Sequence, residues 1–328
     1  MILKLDPIFK EYYWGGVALK EMFSEQLLNY YEKSGMFSEI PRLAEVWAFA
    51  CNMDGISRFS PAPKPKPSGD IMTLSLSSRS RINLFGSAYK GYSDFPFLVK
   101  FMDIAMNLPL QVNPDDEFAY INEHQKGRTE IWHILDCGED SEIIFGFNKK
   151  ISPEVFKKAL SDNTVTELLR KIKVRKGDTF SIPPGTVYSI GKGITLVSIQ
   201  ESSTAFYTVY DYNRINEIGL PRQLQLDKAL QVINYEPTED YLPSAPLDGI
   251  VTLNQTEKYT SKILTVTNFH TITLRGDSFH NVLILDGIGN ISDIDEMLPV
   301  KKGDSFFIPA CDANYTLYGD MKVLITHI

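Results

Sequence analysis

Cysteine, long apolar runs and basic clusters are all scarce in this chain of 328 residues, and each shortage excludes a class of protein. Cys51, Cys137 and Cys311 lie far apart without CxxC spacing, which favours unpaired thiols in a reducing compartment over a disulfide framework. No stretch reaches the roughly 18 apolar residues that cross a membrane, and the opening apolar run is too short for a signal peptide. The net charge of −8 is spread along the chain without a basic run. We therefore expect a cytoplasmic protein that contacts neither a membrane nor nucleic acid; its oligomeric state is not set by the sequence.

Short, strand-like segments dominate the chain from residue 95 onward, while a proline-rich stretch at 61–69 predicts an exposed linker. Ser152-Pro153 opens a helical insertion predicted over about 152–172, because serine is a good N-cap and proline suits the first helical position. The octapeptide KGDTFSIP at 176–183 recurs as KGDSFFIP at 302–309, with six of its eight positions identical. This repeat predicts two antiparallel barrels, with the helical insertion in the first.

The stretch around the first copy has the spacing G-x5-P-x-G-x2-Y, formed by Gly177, Pro183, Gly185 and Tyr188. Glycine and proline at these points predict two short strands joined by a tight turn. The spacing resembles the second signature of a cupin barrel, where the last position is normally a metal-binding histidine. The predicted fold is therefore mostly β, with duplicated cupin (jelly-roll-like) antiparallel barrels.

We predict a site-bearing N-terminal cupin domain at 1–247 and a C-terminal cupin barrel at 248–328, which N-terminal strands complete. In the C-terminal copy, Asn314 takes the place of Tyr188, and His280 would be a lone donor. We therefore expect this second barrel to be metal-free and structural.

Over essentially its full length the chain resembles the short bacterial type of class I mannose-6-phosphate isomerase. The runs that carry the resemblance include PIFKEYYWGG, AEVWAFA, FPFLVKFMD, QVNPDD, GRTEIWHILDC, KGDTFSIPPGTVYSI and VYDYNR. The resemblance implies a zinc-dependent isomerase that interconverts mannose 6-phosphate and fructose 6-phosphate. Such a reaction moves a proton between two carbons through an enediolate, so it needs a cation, a base and a clamp for the phosphate.

The positions that hold zinc in the family fall here on Gln111, Asn113, Glu130 and Tyr188, so that two family histidines are replaced. Neutral amide oxygens are weak zinc ligands, and a phenol must ionise before it binds a metal well. Only Glu130 is a strong donor, so we expect zinc affinity to fall by orders of magnitude. A harder cation such as Mg²⁺ or Mn²⁺ could still bind the oxygens of Gln111, Asn113 and Glu130.

Five further residues match the family and are candidates for catalysis and substrate binding, together with Arg128, which stands where the family has a lysine. Lys100 lies among apolar residues, which predicts an ammonium group that points into the barrel, and guanidinium groups suit phosphate oxygens. The alternatives are surface ion pairs for the arginines, packing for the tryptophan and closure of a turn for the aspartate. The catalytic candidates are Lys100, Arg128 and Arg214, and the substrate-binding candidates are Trp14, Arg222 and Asp115.

Three functions remain open from the sequence. The first is an active isomerase that holds a metal through its substituted oxygen ligands or uses a replacement metal. The second is a weakly active or non-catalytic member of the family that binds a sugar phosphate or serves another regulatory or interaction role. The third is a metal-free cupin isomerase or epimerase in which Tyr188 and Lys100 exchange protons. The second is favoured because polar site positions have changed together while the neighbouring turns stay intact; these positions are Asn113, Tyr188, Ser198, Thr208 and Gln225.

Overall fold

The computed structural model describes residues 1–34, 42–59, 69–72, 78–92, 95–216, 219–238, 249–311 and 314–328. The linker predicted at 61–69 lies outside these ranges except for Gly69. None of the helices in the described ranges is both long and apolar enough to cross a membrane.

The helices are α1 (Ala18–Met22), α2 (Ser24–Ser34), α3 (Ser78–Phe85), α4 (Asp116–Glu123), α5 (Pro153–Ser161) and α6 (Leu226–Val232), with 3-10 turns at Ser87–Gly91 and Val165–Glu167. The strands are β1 (Leu3–Leu5), β2 (Ile8–Gly16), β3 (Leu43–Phe49), β4 (Cys51–Asn52), β5 (Gly55–Ile56), β6 (Phe97–Ile104), β7 (Leu110–Val112), β8 (Glu130–Cys137), β9 (Glu142–Phe147), β10 (Leu169–Lys173), β11 (Thr179–Ile182), β12 (Val187–Ile190), β13 (Ile194–Glu201), β14 (Tyr207–Tyr210), β15 (Ile250–Gln255), β16 (Thr260–Val266), β17 (Phe269–Thr273), β18 (His280–Ser292), β19 (Met297–Lys301), β20 (Ser305–Ile308) and β21 (Asn314–His327).

The chain divides into two compact units. The first unit contains residues 1–12, 17–101 and 246–328, and the second contains residues 13–16 and 102–245. The domains expected from the sequence meet at residue 247, whereas these units group residues 17–101 with the C-terminal strands.

The first unit contains an antiparallel sheet in the order β1-β20-β18-β21-β16-β15, with β17 paired to β21 and β19 paired to β18. Strand β1 pairs with β20 through Leu3 opposite Phe307, so an N-terminal strand extends the C-terminal sheet. One face of this sheet is covered by apolar side chains that include Val282, Phe306 and Val323. Burial of such a face is the main stabilising contribution to the unit.

The second unit contains the antiparallel sheet β10-β9-β12-β7-β14, and it also contains the neighbouring strands β11-β8-β13. Val112, Phe147 and Val187 of the five-stranded sheet pack with Phe156 of α5 and Ala229 of α6. The helices thus cover one apolar face of that sheet. Strands β7, β8 and β12 carry or adjoin the four predicted metal positions, so this unit holds all four.

The helical insertion is shorter than the predicted range of 152–172. The Ser152 hydroxyl accepts a hydrogen bond from the Val155 amide, and Pro153 is the first helical residue, as expected. The helix ends at Ser161 because Asn163 adopts a left-handed backbone conformation with φ 59°, which a continuing helix does not allow. The segment Leu169–Lys173 is instead a strand that pairs with β9.

The two copies of the repeated octapeptide make the same turn. Gly177 and Gly303 have φ values of 95° and 90°, and their amides donate to the carbonyl oxygens of Ile134 and Ile284 at 2.9 Å. In each copy the following aspartate accepts a hydrogen bond from the backbone amide three residues earlier. Equivalent bonds at equivalent positions support the duplication that the sequence indicates.

The two turn glycines differ in the space around them, and this difference predicts unequal effects of alanine. A β-carbon at Gly303 would lie 2.9 Å from the ring of Phe23, whereas one at Gly177 would meet nothing within 4 Å in the described ranges. Both substitutions incur about 1 kcal/mol of left-handed strain. We expect Gly177→Ala to cost only that amount and Gly303→Ala to cost about 2 kcal/mol or more, because buried rings yield little space. Urea unfolding followed by circular dichroism measures both; equal costs would contradict the difference in packing.

Candidate active site

The four predicted metal positions come together in the second unit. Tyr188 on β12 lies opposite Gln111 on β7 in the strand register, and the turn glycine Gly185 donates its amide to the carbonyl oxygen of Asn113 at 2.9 Å. That turn brings the Tyr188 hydroxyl within 2.8 Å of Asn113 Oδ1, to which it donates. Asn113, Tyr188 and Glu130 are buried, and Gln111 is half-buried. The turn in the G-x5-P-x-G-x2-Y stretch therefore brings Tyr188 against Asn113, and the four residues frame the candidate site.

The guanidinium group of Arg128 lies at the centre of this frame. Its Nη2 atom is 2.7 Å from Glu130 Oε1, and it donates at 3.1 Å to Asn113 Oδ1 and to the Tyr188 hydroxyl. The ring of Phe206 lies beside it, with the guanidinium carbon 5.1 Å from the ring centroid. This cation–π contact further stabilises the position of the guanidinium. A single side-chain nitrogen thus contacts three of the four positions that the resemblance assigns to zinc.

Trp132 completes the surroundings of Glu130. Its indole Nε1 donates to Glu130 Oε2 at 2.9 Å, so both carboxylate oxygens are bonded. Its ring meets the ring of Tyr188 edge-on, with centroids 5.3 Å apart. Trp132 and Phe206 are not among the site residues predicted from the sequence. Side chains two residues apart on a strand lie on the same face, so the sequence could have predicted that Trp132 lies beside Glu130.

The residues present do not fit a zinc ion. Burial, followed by the nearby Glu130 carboxylate, raises the pKa of the Tyr188 phenol well above its usual value, and the Arg128 guanidinium offsets this only in part. The phenol therefore stays protonated at neutral pH and is a poor metal ligand. Asn113 offers a neutral amide, and Glu130 is already paired with Arg128. In the ranges that the structure describes, no group of three or more histidine, cysteine, aspartate or glutamate side chains could hold a metal.

Two of the substituted positions bond to each other. The backbone amide of Thr208 donates to Gln225 Oε1 at 2.9 Å. The backbone amide of Gln225 donates in turn to the carbonyl oxygen of Thr208 at 3.1 Å. A third substituted position, Ser198, is fully buried. Among the described residues its hydroxyl has no hydrogen-bond partner, and the same holds for the Nδ2 atom of Asn113. Buried polar atoms of this kind usually meet a ligand or water.

A second cluster in the same unit joins Arg214 and Arg222 through one carboxylate. Arg214 forms an ion pair with Asp211 Oδ1, and Arg222 Nε lies 3.2 Å from Asp211 Oδ2. The Arg222 guanidinium carbon is 3.7 Å above the centroid of the Tyr13 ring. Two guanidinium groups and one carboxylate leave a net positive charge, and the two arginine side chains are 21% and 31% exposed. This arrangement suits a phosphate that approaches from water. Asp211, which the sequence reasoning missed, belongs to the quoted run VYDYNR.

Three other candidate residues have structural partners. Asp115 is the N-cap of α4 and accepts a hydrogen bond from the Phe118 amide at 2.8 Å, in line with the turn-closing alternative. Trp14 is buried, and its carbonyl oxygen accepts from the Ala105 amide. Lys100 lies in the first unit, where its ammonium is 2.7 Å from Glu45 Oε1. Catalytic or substrate-binding roles for these residues stay predictions.

The comparisons with known proteins agree with these observations. A family model for the catalytic domain of type I phosphomannose isomerase matches residues 2–142, and one for the cupin domain of mannose-6-phosphate isomerase matches residues 249–328. The mannose-6-phosphate isomerase ManA of Bacillus subtilis is 32% identical over 337 residues, which cover 99% of this chain and 98% of that protein. The chain belongs to the mannose-6-phosphate isomerase family.

Two further proteins are similar to this chain, one in sequence and one in fold. The mannose-6-phosphate isomerase of Streptococcus mutans is 29% identical over 319 residues, which cover 96% of this chain and 94% of that protein. The crystal structure of mannose 6-phosphate isomerase from Bacillus subtilis superimposes with a TM-score of 0.85 at 29% identity, covering 100% of this chain and 99% of that one. The expectation of a mostly β cupin fold with a helical insertion is confirmed, with antiparallel sheets that are cupin-like without closing into complete barrels.

The C-terminal copy of the family's cupin unit contains a partly buried histidine. His280 Nδ1 lies 2.9 Å from the Tyr315 hydroxyl, and the ring of His327 is 5.1 Å away between centroids. Burial, followed by the His327 and Lys262 charges, lowers the pKa of His280 to about 3. The side chain is therefore neutral over the physiological pH range, as expected for a packing residue.

This neutral histidine predicts a loss of stability in mild acid. Below the ordinary histidine pKa near 6.5, His280 is protonated in the unfolded chain but stays neutral in the folded protein. The free energy of unfolding therefore falls as the pH falls toward 3. We expect a loss on the order of 1–2 kcal/mol between pH 7.5 and pH 5 from this group. Urea unfolding at several pH values should show the slope, and His280→Asn should flatten it. An unchanged slope in that variant would assign the pH dependence to other groups.

Proposed function

We propose that this chain binds a hexose 6-phosphate on the isomerase scaffold, and that it isomerises that ligand weakly or not at all, without a divalent cation. The observation that carries the proposal is the contact of Arg128 Nη2 with Glu130, Asn113 and Tyr188. The ligand class follows from the family, whose relatives are named for mannose 6-phosphate.

We also propose a cytoplasmic location and no nucleic-acid or membrane partner, since the three cysteines are widely spaced and the chain is acidic without a basic run.

The weakness of the reaction follows from charge. Isomerisation through an enediolate develops negative charge on two substrate oxygens, which an available cation stabilises most strongly. The Arg128 guanidinium is balanced by the Glu130 carboxylate at 2.7 Å, and Asn113 and protonated Tyr188 add no charge. Removal of a single stabilising group commonly lowers kcat by about 100-fold or more. We expect at least this deficit when the protein is assayed beside ManA of Bacillus subtilis.

Binding of the ligand is supported by groups that are still available. The net positive cluster of Asp211, Arg214 and Arg222 suits a phosphate. The Nδ2 atom of Asn113, which has no hydrogen-bond partner among the described residues, needs an acceptor, and the hydroxyl of Ser198 can donate and accept. A sugar hydroxyl supplies both functions, so a polyhydroxy ligand would satisfy atoms that are costly to leave unbonded.

Three measurements on the purified protein test this proposal together. Metal analysis after exposure to zinc should give below about 0.1 ion per chain. A coupled assay on mannose 6-phosphate should show little turnover, and a chelator should not change it. Calorimetry should show saturable binding of mannose 6-phosphate and weaker binding of mannose.

Each alternative has a different signature in these measurements. Stoichiometric metal with chelator-sensitive turnover would establish an active isomerase with substituted ligands or a replacement metal and would overturn the proposal. Rapid turnover that a chelator leaves unchanged would favour a metal-free isomerase and would overturn it too. An absence of saturable binding of mannose 6-phosphate would also contradict it.

A further inference from the structure

Asn113 and Tyr188, where two family histidines are replaced, and the retained Glu130 all present oxygen to one hydrogen-bond donor. Asn113 Oδ1 and the Tyr188 hydroxyl accept from Arg128 Nη2, and Glu130 Oε1 pairs with the same atom. A guanidinium donates hydrogen bonds and never accepts them. Imidazole nitrogens bind zinc, whereas amide and phenol oxygens suit a guanidinium. The ligand set and the arginine are therefore chemically matched.

We propose that the Arg128 guanidinium is a built-in substitute for the metal ion, which links the ligand positions and excludes a divalent cation from them. The inference deepens the proposed function, on which it rests, by naming the group that makes this site independent of metal. Zinc binding would then require removal of the Arg128 guanidinium as well as the return of the two histidines.

Geometry supports exclusion rather than coexistence. Zinc binds oxygen and nitrogen donors at about 2.0–2.2 Å, while Nη2 lies within 3.1 Å of three of those donors. A metal among the same donors would overlap the guanidinium nitrogen. It would also place a second positive centre beside the buried guanidinium, and like charges at short range repel strongly where water is scarce.

The arginine is fixed in this position by its backbone and by its ring contact. The amide of Arg128 donates to the Pro114 carbonyl oxygen at 3.2 Å, and the neighbouring amide of Gly127 donates to Asp116 Oδ1 at 2.8 Å. Phe206 lies against the guanidinium. These contacts tie the segment before β8 to the segment after β7. An incoming ion would have to displace a side chain that several bonds hold in place.

Zinc binding by three variants tests the proposal. The double variant Asn113→His, Tyr188→His restores two nitrogen donors beside Glu130 but keeps Arg128. The triple variant adds Arg128→Ala, and a matched control adds Arg175→Ala, which removes an exposed arginine of the same unit from the double variant. Zinc affinity is measured by competition with a chromophoric chelator, and cobalt absorption reports the coordination geometry. Circular dichroism confirms that each variant is folded.

We expect the triple variant to bind about one zinc per chain, at least about 100-fold more tightly than the double variant or the Arg175 control. Tight zinc binding by the double variant would overturn the inference even if the triple variant fails to fold, because Arg128 would then not exclude the ion. A folded triple variant that binds no more tightly than the double variant would overturn it too. Neither result depends on sugar binding by the unmodified protein, so failure of the proposed function is detected separately.

Discussion

Replacing Glu130 by glutamine is expected to lower the free energy of unfolding by about 3–5 kcal/mol. Glu130 is buried, and its two oxygens bond to Arg128 at 2.7 Å and to Trp132 at 2.9 Å. A neutral amide would leave the guanidinium buried without its counter-charge, which costs far more than the pair contributes when intact. Urea unfolding followed by tryptophan fluorescence measures the change, since Trp132 lies beside the substituted group.

Two controls separate the buried charge from the mere loss of a carboxylate. Glu142 forms an ion pair with Lys171 at 3.5 Å, with side chains 43% and 51% exposed, and Glu142→Gln should change stability by less than about 0.5 kcal/mol. Adding Arg128→Met to Glu130→Gln should recover most of the loss, because removal of both charges avoids an unpaired one. A loss below about 1 kcal/mol for Glu130→Gln would mean that water already solvates the guanidinium.

Local signals in the sequence predicted the parts of this molecule that depend on local geometry. Gly177 and Gly303 form equivalent left-handed turns because both copies of the octapeptide need a residue that tolerates positive φ. Ser152 and Pro153 begin a helix for reasons confined to its first turn. The predicted end of that helix was wrong because hydrophobic periodicity does not reveal that Asn163 adopts a left-handed backbone conformation. The strand after it is specified by pairing with β9 instead.

The candidate site was predictable as a set of positions but not as a set of contacts. The resemblance places Asn113, Glu130 and Tyr188 together, and the structure does so. Arg128 lies two residues before Glu130, which favours the same face, but its contacts with Asn113 and Tyr188 depend on the pairing of separate strands. Long side chains have many rotamers, and the surrounding acceptors select one of them. Arg128 stands where the resemblance implies a lysine, with the charge unchanged, but its planar guanidinium donates several hydrogen bonds in a fixed geometry that an ammonium does not reproduce.

Replacing Arg222 by methionine is expected to weaken binding of mannose 6-phosphate by about 10–100-fold. In the proposed function, the guanidinium group of Arg222 donates charge-assisted hydrogen bonds to the phosphate. Methionine keeps an apolar stem over the Tyr13 ring, which Arg222 covers at 3.7 Å, so local packing is largely retained. Arg214 still pairs with Asp211 in this variant. Calorimetry with mannose 6-phosphate and with mannose measures the effect on each ligand.

The comparison of the two sugars decides whether Arg222 acts on the phosphate. If it does, binding of unphosphorylated mannose should be unchanged while binding of the phosphate ester weakens, and higher salt should reduce the difference between Arg222→Met and the unmodified protein. Arg175→Met, which removes an exposed arginine of the same unit, should leave both affinities unchanged, because an exposed charge is screened by water and salt. Equal weakening for both sugars would show instead that Arg222 shapes the site through Asp211 and Tyr13. The phosphate clamp would then have to be sought elsewhere, because the net charge of the Asp211 cluster would contribute nothing specific to recognition.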